Sequence, residues 1–313
     1  VHTAYQDSTP MVVFLGQVHS QFRGREGFQE VDLKEFFQPI TKWAVEIKDA
    51  KRTPEIVQKA FRIAKSGRPG PVVIALPEDL LPKKCEMIFG PIAPIPRPAP
   101  STTELESVQL LLNEANKPLI IAGGGVKASQ AESLLINFAE KYQIPVMAAF
   151  RRQDVFPNDH RLYVGHLGLG TTKEELQTVE EADLILALGT RLSEVTTQDY
   201  TIITADKTLI HIDIDYATIG KTYAPHIGIV SDLAEALLFL KHIDIEPKWA
   251  VWAYNRRNAF EKVSRLDQAD KDSLNKQVIA YLIKKLPKNA LITNDAGNFA
   301  GWLHAYYPFR ERH

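Results

Sequence analysis

The chain is short of several features that define large classes of protein. It has a single cysteine, Cys85, so no internal disulfide can form and no zinc cluster can be built on thiolates. No apolar run approaches the roughly 18 residues that a membrane-spanning helix needs. Neither sign of charge dominates, with 37 Lys and Arg against 38 Asp and Glu, so no overall field draws the chain to nucleic acid or to an anionic membrane. The nine histidines are scattered, there is no His-Glu-x-x-His, and there is no Gly-x-Ser-x-Gly nucleophile elbow. No metal site is expected from these residues. What remains is the composition of a cytoplasmic enzyme of small molecules, without nucleic-acid or membrane partners.

At 313 residues and 45% hydrophobic content the chain can bury at least two ordinary cores. Position 1 is Val, and the first ten residues hold neither a basic leader nor a signal-peptide core, so the chain is expected to begin inside a domain. Met11-Val-Val-Phe-Leu15 reads as a buried strand, Thr53–Lys65 as a helix and Pro71-Val-Val-Ile-Ala-Leu76 as a second strand. Five prolines between Phe89 and Ser101 favour extended backbone and mark an interdomain linker.

Beyond the linker, apolar runs alternate with amphipathic stretches. Strands are expected at Leu119–Ala122, Val146–Ala149, Leu184–Leu188 and Leu209–Ile214. Helices are expected near Ser129–Tyr142 and Lys173–Glu181 and from Asp232 onward. This alternation predicts an α/β fold, a doubly wound parallel sheet with helices on both faces, flanked by incomplete α/β domains. After Pro247 a polar helical region runs to Lys285, followed by an expected strand at Ala290–Thr293 and a turn rich in Asn, Asp and Gly. The expected boundaries are 1–88, a linker at 89–101, a central nucleotide-binding-type domain at 102–245, and a connector with the start of a third domain at 246–313.

Candidate chemistry gathers where strands end. Pro118–Ala122 runs into Gly123-Gly124-Gly125, a context in which backbone amides can approach a phosphate, although close packing alone also calls for glycine there. Gly189-Thr190-Arg191 follows another strand, and His211-Ile-Asp213-Ile214-Asp215 ends a third; ligands of doubly wound sheets collect at such carboxyl ends. Asp213 could accept ribose hydroxyls, and Arg191 or Arg151 could neutralise a diphosphate or simply form a surface ion pair. Gly165-His-Leu167-Gly168-Leu-Gly170 is a small-residue loop before a helix that Thr171 or Thr172 can cap, with His166 read as structural. Gly24–Glu30 reads as a solvated loop. The turn Gly67-Arg68-Pro-Gly-Pro71 suits either an anion or a carboxylate of the protein itself.

Taken in order, Asp7-Ser-Thr-Pro10, Gly16-Gln-Val18, Gly27-Phe-Gln-Glu30, Ser66–Val72, Gly123-Gly-Gly-Val126 and His211–Lys221 resemble the thiamine-diphosphate-dependent enzymes, closest to the acetolactate synthase large subunit. The resemblance implies a pyrimidine-binding domain, a central nucleotide domain and a diphosphate-binding domain in succession. It also implies a homodimer or homotetramer that places thiamine diphosphate between subunits, a 2-oxo acid substrate, and Mg2+. A regulatory subunit is left open. By matching position, Ser8 and Gln29 would line the thiamine site, and Gly297 with Asn298 would begin the diphosphate half-site. The positions that contact FAD in that family fall on Arg68, Gly123, Gly124, Gly125, Leu167, Gly168, Gly189, Thr190, Arg191, Asp213, Ile214 and Asp232, where an ADP-like nucleotide is the alternative. The family's activating glutamate and its Gly-Asp-Gly…Asn metal motif are expected outside Val1–His313, so this stretch by itself is expected to be catalytically silent. Two positions depart from the family: Glu78 stands where a lysine is frequent, and Leu192-Ser-Glu-Val195 replaces an acidic-and-arginine continuation. They leave a thiamine-dependent oxidase, a CoA-thioester decarboxylase and a non-catalytic nucleotide-binding protein as alternatives.

Overall fold

The computed structural model describes residues 1–266, 273–295 and 297–310. They form two compact units, Val1–Pro96 and Arg97–His313.

The first unit contains α1 (His2–Gln6), β1 (Met11–Gln17), α2 (Leu33–Phe37), β2 (Trp43–Glu46), α3 (Thr53–Lys65) and β3 (Pro71–Pro77). Its three strands are parallel in the order β1-β3-β2. β3 sits between two partners and is almost wholly buried, as its unbroken apolar run requires. α3 begins with Pro54 in its first turn, where the missing N–H costs nothing, and buries Ile56, Ala60 and Ala64, one stripe at a spacing of four. Its last carbonyls are satisfied by the Lys42 ammonium, which donates to Ile63 O and Ser66 O. β1 departs from the expectation of a buried strand. It is an edge strand, exposed or half-buried from Met11 to Gly16, because it has a hydrogen-bonding neighbour on one side. β2 was not expected; four residues with one buried side chain are too short a signal to stand out.

The second unit opens on α4 (Thr102–Glu114), started by a capping box in which Ser101 and Glu104 satisfy each other's backbone amides. It continues with β4 (Pro118–Ala122), α5 (Gly124–Ala128), α6 (Glu132–Tyr142), β5 (Val146–Ala148), β6 (Tyr163–His166), α7 (Lys173–Glu181), β7 (Leu184–Leu188), β8 (Thr208–Asp213), β9 (Ile227–Val230), α8 (Leu233–Leu240), α9 (Ala250–Ser264), α10 (Leu274–Lys285) and α11 (Asn298–Tyr306). Six parallel strands run in the order β6-β5-β4-β7-β8-β9. The chain therefore steps outward from β4 to β6, returns to the middle, and steps outward the other way from β7 to β9. This is the doubly wound order, and its winding reverses between β4 and β7.

Every residue of β4 and β7 is buried, which is why both read as continuous apolar runs. α6 packs with α8, and α7 packs with α9. Two tryptophans tie the segment after α8 to the sheet domain: Trp249 Nε1 donates to Tyr142 O at 2.8 Å, and Trp252 Nε1 donates to Pro118 O at 3.1 Å. The proline linker is anchored where Asp232 N and Ser231 Oγ donate to Pro98 O.

Three local expectations need correction. The helix expected near Ser129–Tyr142 is α6 and begins at Glu132; a separate short helix, α5, precedes it, and Gln130 between the two has a φ of 55°, which cannot continue a helix. β6 and β9 were not anticipated; each is a four-residue edge strand interrupted by a glycine. The strand expected at Ala290–Thr293 is absent: these residues have no ladder partner among the described residues, and an apolar run without one is not a strand. No helix of the described residues is long and apolar enough to cross a membrane.

Candidate functional site

Because the six strands of the second unit are parallel, their carboxyl ends share one edge. The turn after β4 meets the turn after β7 there, at the reversal of the winding. Ala122 pairs in register with Leu188, and beyond them Gly123 N donates to Leu188 O (2.9 Å), Gly125 N to Gly189 O (2.8 Å) and Gly189 N to Ile212 O (2.8 Å). The backbones approach so closely that a Cβ at Gly125 would lie 2.6 Å from Gly189 Cα, and one at Gly123 would lie 2.4 Å from Gly189 O. Gly189 itself has φ +58°. The first and third glycines are thus required by packing whether or not a ligand binds. Gly124 differs: what faces it is the Arg152 guanidinium, with Nε 2.7 Å from where a Cβ would be, the movable end of a long side chain.

The other strand ends complete the edge. Arg151 and Arg152 follow β5, and Arg191 follows β7 and is exposed. His211 Nε2 donates to Thr190 O at 2.8 Å; burial holds this imidazole below its ordinary pKa despite that bond, so it is the neutral donor tautomer that fixes the Gly189–Arg191 turn. Asp213 is buried at the end of β8, where its Oδ1 accepts from Asp215 N at 2.9 Å. A carboxylate has acceptor positions beyond that one. Asp232, after β9, is committed to structure: Oδ1 caps α8 through Ala234 N and Glu235 N, and Oδ2 accepts from Ser129 Oγ.

The loop after β6 carries Leu167 and Gly168. Leu167 is fully buried, its N–H donating to Ala148 O at 2.8 Å. Gly168 N donates to Thr171 Oγ1 at 2.8 Å, and Gly168 O accepts from Gln198 Nε2 at 3.1 Å. Of the two threonines offered as caps, Thr172 is the N-cap of α7, in a capping box with Glu175.

Every position expected at a nucleotide thus lies on this edge, except Arg68. That residue belongs to the first unit, where Nε donates to Ser8 Oγ at 2.8 Å and a second guanidinium nitrogen donates to Tyr5 O at 2.9 Å. Of the positions expected at thiamine, Ser8 (φ 58°) and Gln29 (φ 61°) are in the first unit, and Gly297 and Asn298, which open α11, are in the second. The Gln29 loop is folded on Glu30, whose carboxylate accepts from Gly24 N and Gly27 N; these bonds lower its pKa. Sequence reasoning passed over Arg152 and Glu175. The first has no local signature, whereas Thr172-x-x-Glu175 ahead of a helical run is one.

Comparison with known proteins places these features in a family. Residues 105–240 match the model of the thiamine pyrophosphate enzyme central domain, a span that runs from α4 to α8 and includes the whole six-stranded sheet. The chain is 34% identical over 326 residues to the probable acetolactate synthase large subunit of Methanocaldococcus jannaschii, covering 98% of this chain and 55% of the relative. It is 33% identical to the acetolactate synthase large subunit of Lactococcus lactis (98% and 54%) and 34% identical to the glyoxylate carboligase of Escherichia coli O157:H7 (78% and 42%). The chain spans about half the length of the curated relatives it matches. With a doubly wound sheet over the matched span, residues 105–240 are a thiamine pyrophosphate enzyme central domain, set in a chain that is similar along nearly all of its length to acetolactate synthase large subunits.

Proposed function

We propose that the chain is part of a thiamine-diphosphate-dependent 2-oxo acid decarboxylase and carboligase, of the kind that decarboxylates pyruvate and transfers the two-carbon unit to a carbonyl acceptor. The observation that carries this reading is the similarity to acetolactate synthase large subunits along 98% of the chain. Thiamine diphosphate, when bound, supplies the electron sink that decarboxylation of a 2-oxo acid requires. This chain's part is to hold it. The residues fit: Arg68 donates to Ser8 Oγ and leaves the hydroxyl proton to be given elsewhere, and among the described residues nothing lies within 4 Å of where a Cβ on Gly297 would be. Ser8 and Gln29 of one subunit would serve the pyrimidine side, and Gly297 and Asn298 of another subunit the diphosphate side. Among the described residues no group of His, Cys, Asp and Glu is placed to hold a metal ion, so these residues assign no ligand to magnesium.

The central domain's own ligand would be FAD or another adenine nucleotide at the switch between β4 and β7. Arg191 would neutralise its diphosphate and Asp213 would accept ribose hydroxyls, with the Gly123–Gly125 and Gly189–Arg191 turns as the floor. Assembly as a homodimer or homotetramer belongs to the same reading, and a regulatory subunit would fit the naming of two relatives as large subunits.

The test is to express the whole reading frame that contains these residues and measure CO2 release from pyruvate, with glyoxylate as second donor because one relative is a glyoxylate carboligase. Release that depends on added thiamine diphosphate is expected. No release from either acid overturns the activity. Nucleotide freed by denaturation separates a flavin, by its visible spectrum, from ADP.

A further inference from the structure

His166 is 1% exposed and Glu175 is 2% exposed, and they meet beneath the loop that carries Leu167 and Gly168. Glu175 Oε1 accepts from His166 N at 2.9 Å and lies 3.2 Å from His166 Nδ1. Its Oε2 accepts from Thr172 N at 2.7 Å and from Thr172 Oγ1 at 2.9 Å. One buried carboxylate therefore grips both ends of the loop. The other ring nitrogen, His166 Nε2, faces Leu169 O at 3.3 Å. With an acceptor before each nitrogen, the ring is satisfied in full only as the imidazolium, which carries the charge that a buried carboxylate needs.

The carboxylate is packed closely against the loop's backbone. Gly165 has φ +116°, and a Cβ there would lie 2.2 Å from Glu175 Oε1, so the carboxylate occupies the space a side chain would take. Within the loop, Thr171 Oγ1 donates to Gly168 O and accepts from Gly168 N. A helix N-cap needs only the contacts to Thr172. The contacts to His166 go beyond capping, and a buried ion pair is costly unless it fixes something.

We propose that Glu175 and His166 are positioning residues: by clamping Gly165–Thr172 from below, they hold the backbone of Leu167 and Gly168 in one conformation for an adenine nucleotide at the sheet's carboxyl edge. This rests on the nucleotide reading above. Loss of the clamp leaves β4 and β7 intact, because their turns are held by backbone bonds to each other. It frees the loop, and the nucleotide then has to order it on binding.

The experiment compares the full chain with Glu175→Gln, Glu175→Ala and His166→Asn by amide hydrogen exchange and by titration with FAD and with ADP. Exchange at His166, Gly168 and Thr172 should speed by about tenfold or more in Glu175→Ala and by less in Glu175→Gln, which keeps an acceptor. Exchange at Ile121 and Leu186 should be unchanged. Affinity for whichever nucleotide binds should fall in the same order. If Glu175→Ala does not fold, the Gln and Asn variants carry the same comparison. Unchanged exchange across 165–172 in folded variants overturns the clamp, even where the nucleotide binds. Faster loop exchange with unaltered affinity overturns the link to the ligand. If wild-type chain binds neither FAD nor ADP, the nucleotide reading fails and the positioning role falls with it, while exchange still reports whether Glu175 holds the loop.

Discussion

β1 and β4 look alike on paper, each an apolar run leading toward glycine, and the structure treats them differently. β4 has a strand on either side and every residue buried; β1 is an edge strand with Phe14 48% exposed. Gly125, just past β4, touches another backbone, whereas a Cβ on Gly16 in β1 would meet nothing within 4 Å among the described residues. An apolar run states that a segment can be buried. The number of layers stacked around it decides whether it is, and so what each residue is worth.

That contrast can be broken by substitution, and the largest effect should come from the second core. Phe138→Ala removes a fully buried ring of α6 and should cost about 3–5 kcal/mol in urea unfolding, while Phe14→Ala should cost less than about 1 kcal/mol. Equal losses would show that the two units bury these rings alike.

Next in size is the buried pair. Burial alone would raise the Glu175 carboxyl, but the His166 hydrogen bond and charge, with the Thr172 and His166 amides, outweigh it and lower its pKa. Burial alone would lower His166, and Glu175 outweighs that and raises it. The carboxylate's contribution is present above its ordinary range and lost as pH falls through the lowered value. The imidazolium's is present below its ordinary range and lost as pH rises through the raised one. The pair therefore stabilises most between roughly pH 5 and 6, where Glu175→Gln should cost about 3 kcal/mol, with a smaller cost near pH 9. The titratable groups beside it are His304 on α11, whose ring lies 6.1 Å from that of His166 and feels Arg151, and Tyr163 on β6, which feels Glu175 and Arg257. His304, pushed down to about 4 by burial and by the charges of His166 and Arg151, is neutral throughout that window. A stability difference that does not vary with pH would mean that the pair is not ionised.

The glycines sharpen the comparison further. Gly125→Ala drives a methyl into Gly189 and should cost about 2 kcal/mol, whereas Gly16→Ala, with open space and no left-handed backbone, should change stability by less than about 1 kcal/mol in either direction. The smallest effect is a surface one in the first unit. Asp79 is held down at about 2 because Ser20 N and Ser20 Oγ both donate to its carboxylate. Ser20→Ala removes one of the two, and an NMR titration should find Asp79 moved up toward the ordinary carboxylate range.

Much of this was legible one segment at a time. β7 at Leu184–Leu188, α3 at Thr53–Lys65 and α7 at Lys173–Glu181 stand where periodicity and caps put them. The short edge strands β2, β6 and β9 were not legible, since four residues containing a glycine or a charge carry no period. At the candidate site, the glycine turns and Asp213 were visible because they sit directly after readable strands. Arg152 over Gly124 was not, because nothing local tells a side chain where to lie.

The sequence by itself determined that β1, β3, β4, β5, β7 and β8 are strands, that α3, α7 and α8 start where they do, and that the second unit alternates strand and helix, since each depends on residues within a few positions of one another. The tertiary structure decided the order β6-β5-β4-β7-β8-β9, and with it the meeting of Gly125 with Gly189 and of His211 with Thr190. It also made Glu175 more than a helix cap by seating it against His166. Those relations join residues far apart in the chain, and they are selected by which faces must be buried together, a choice that no local pattern records.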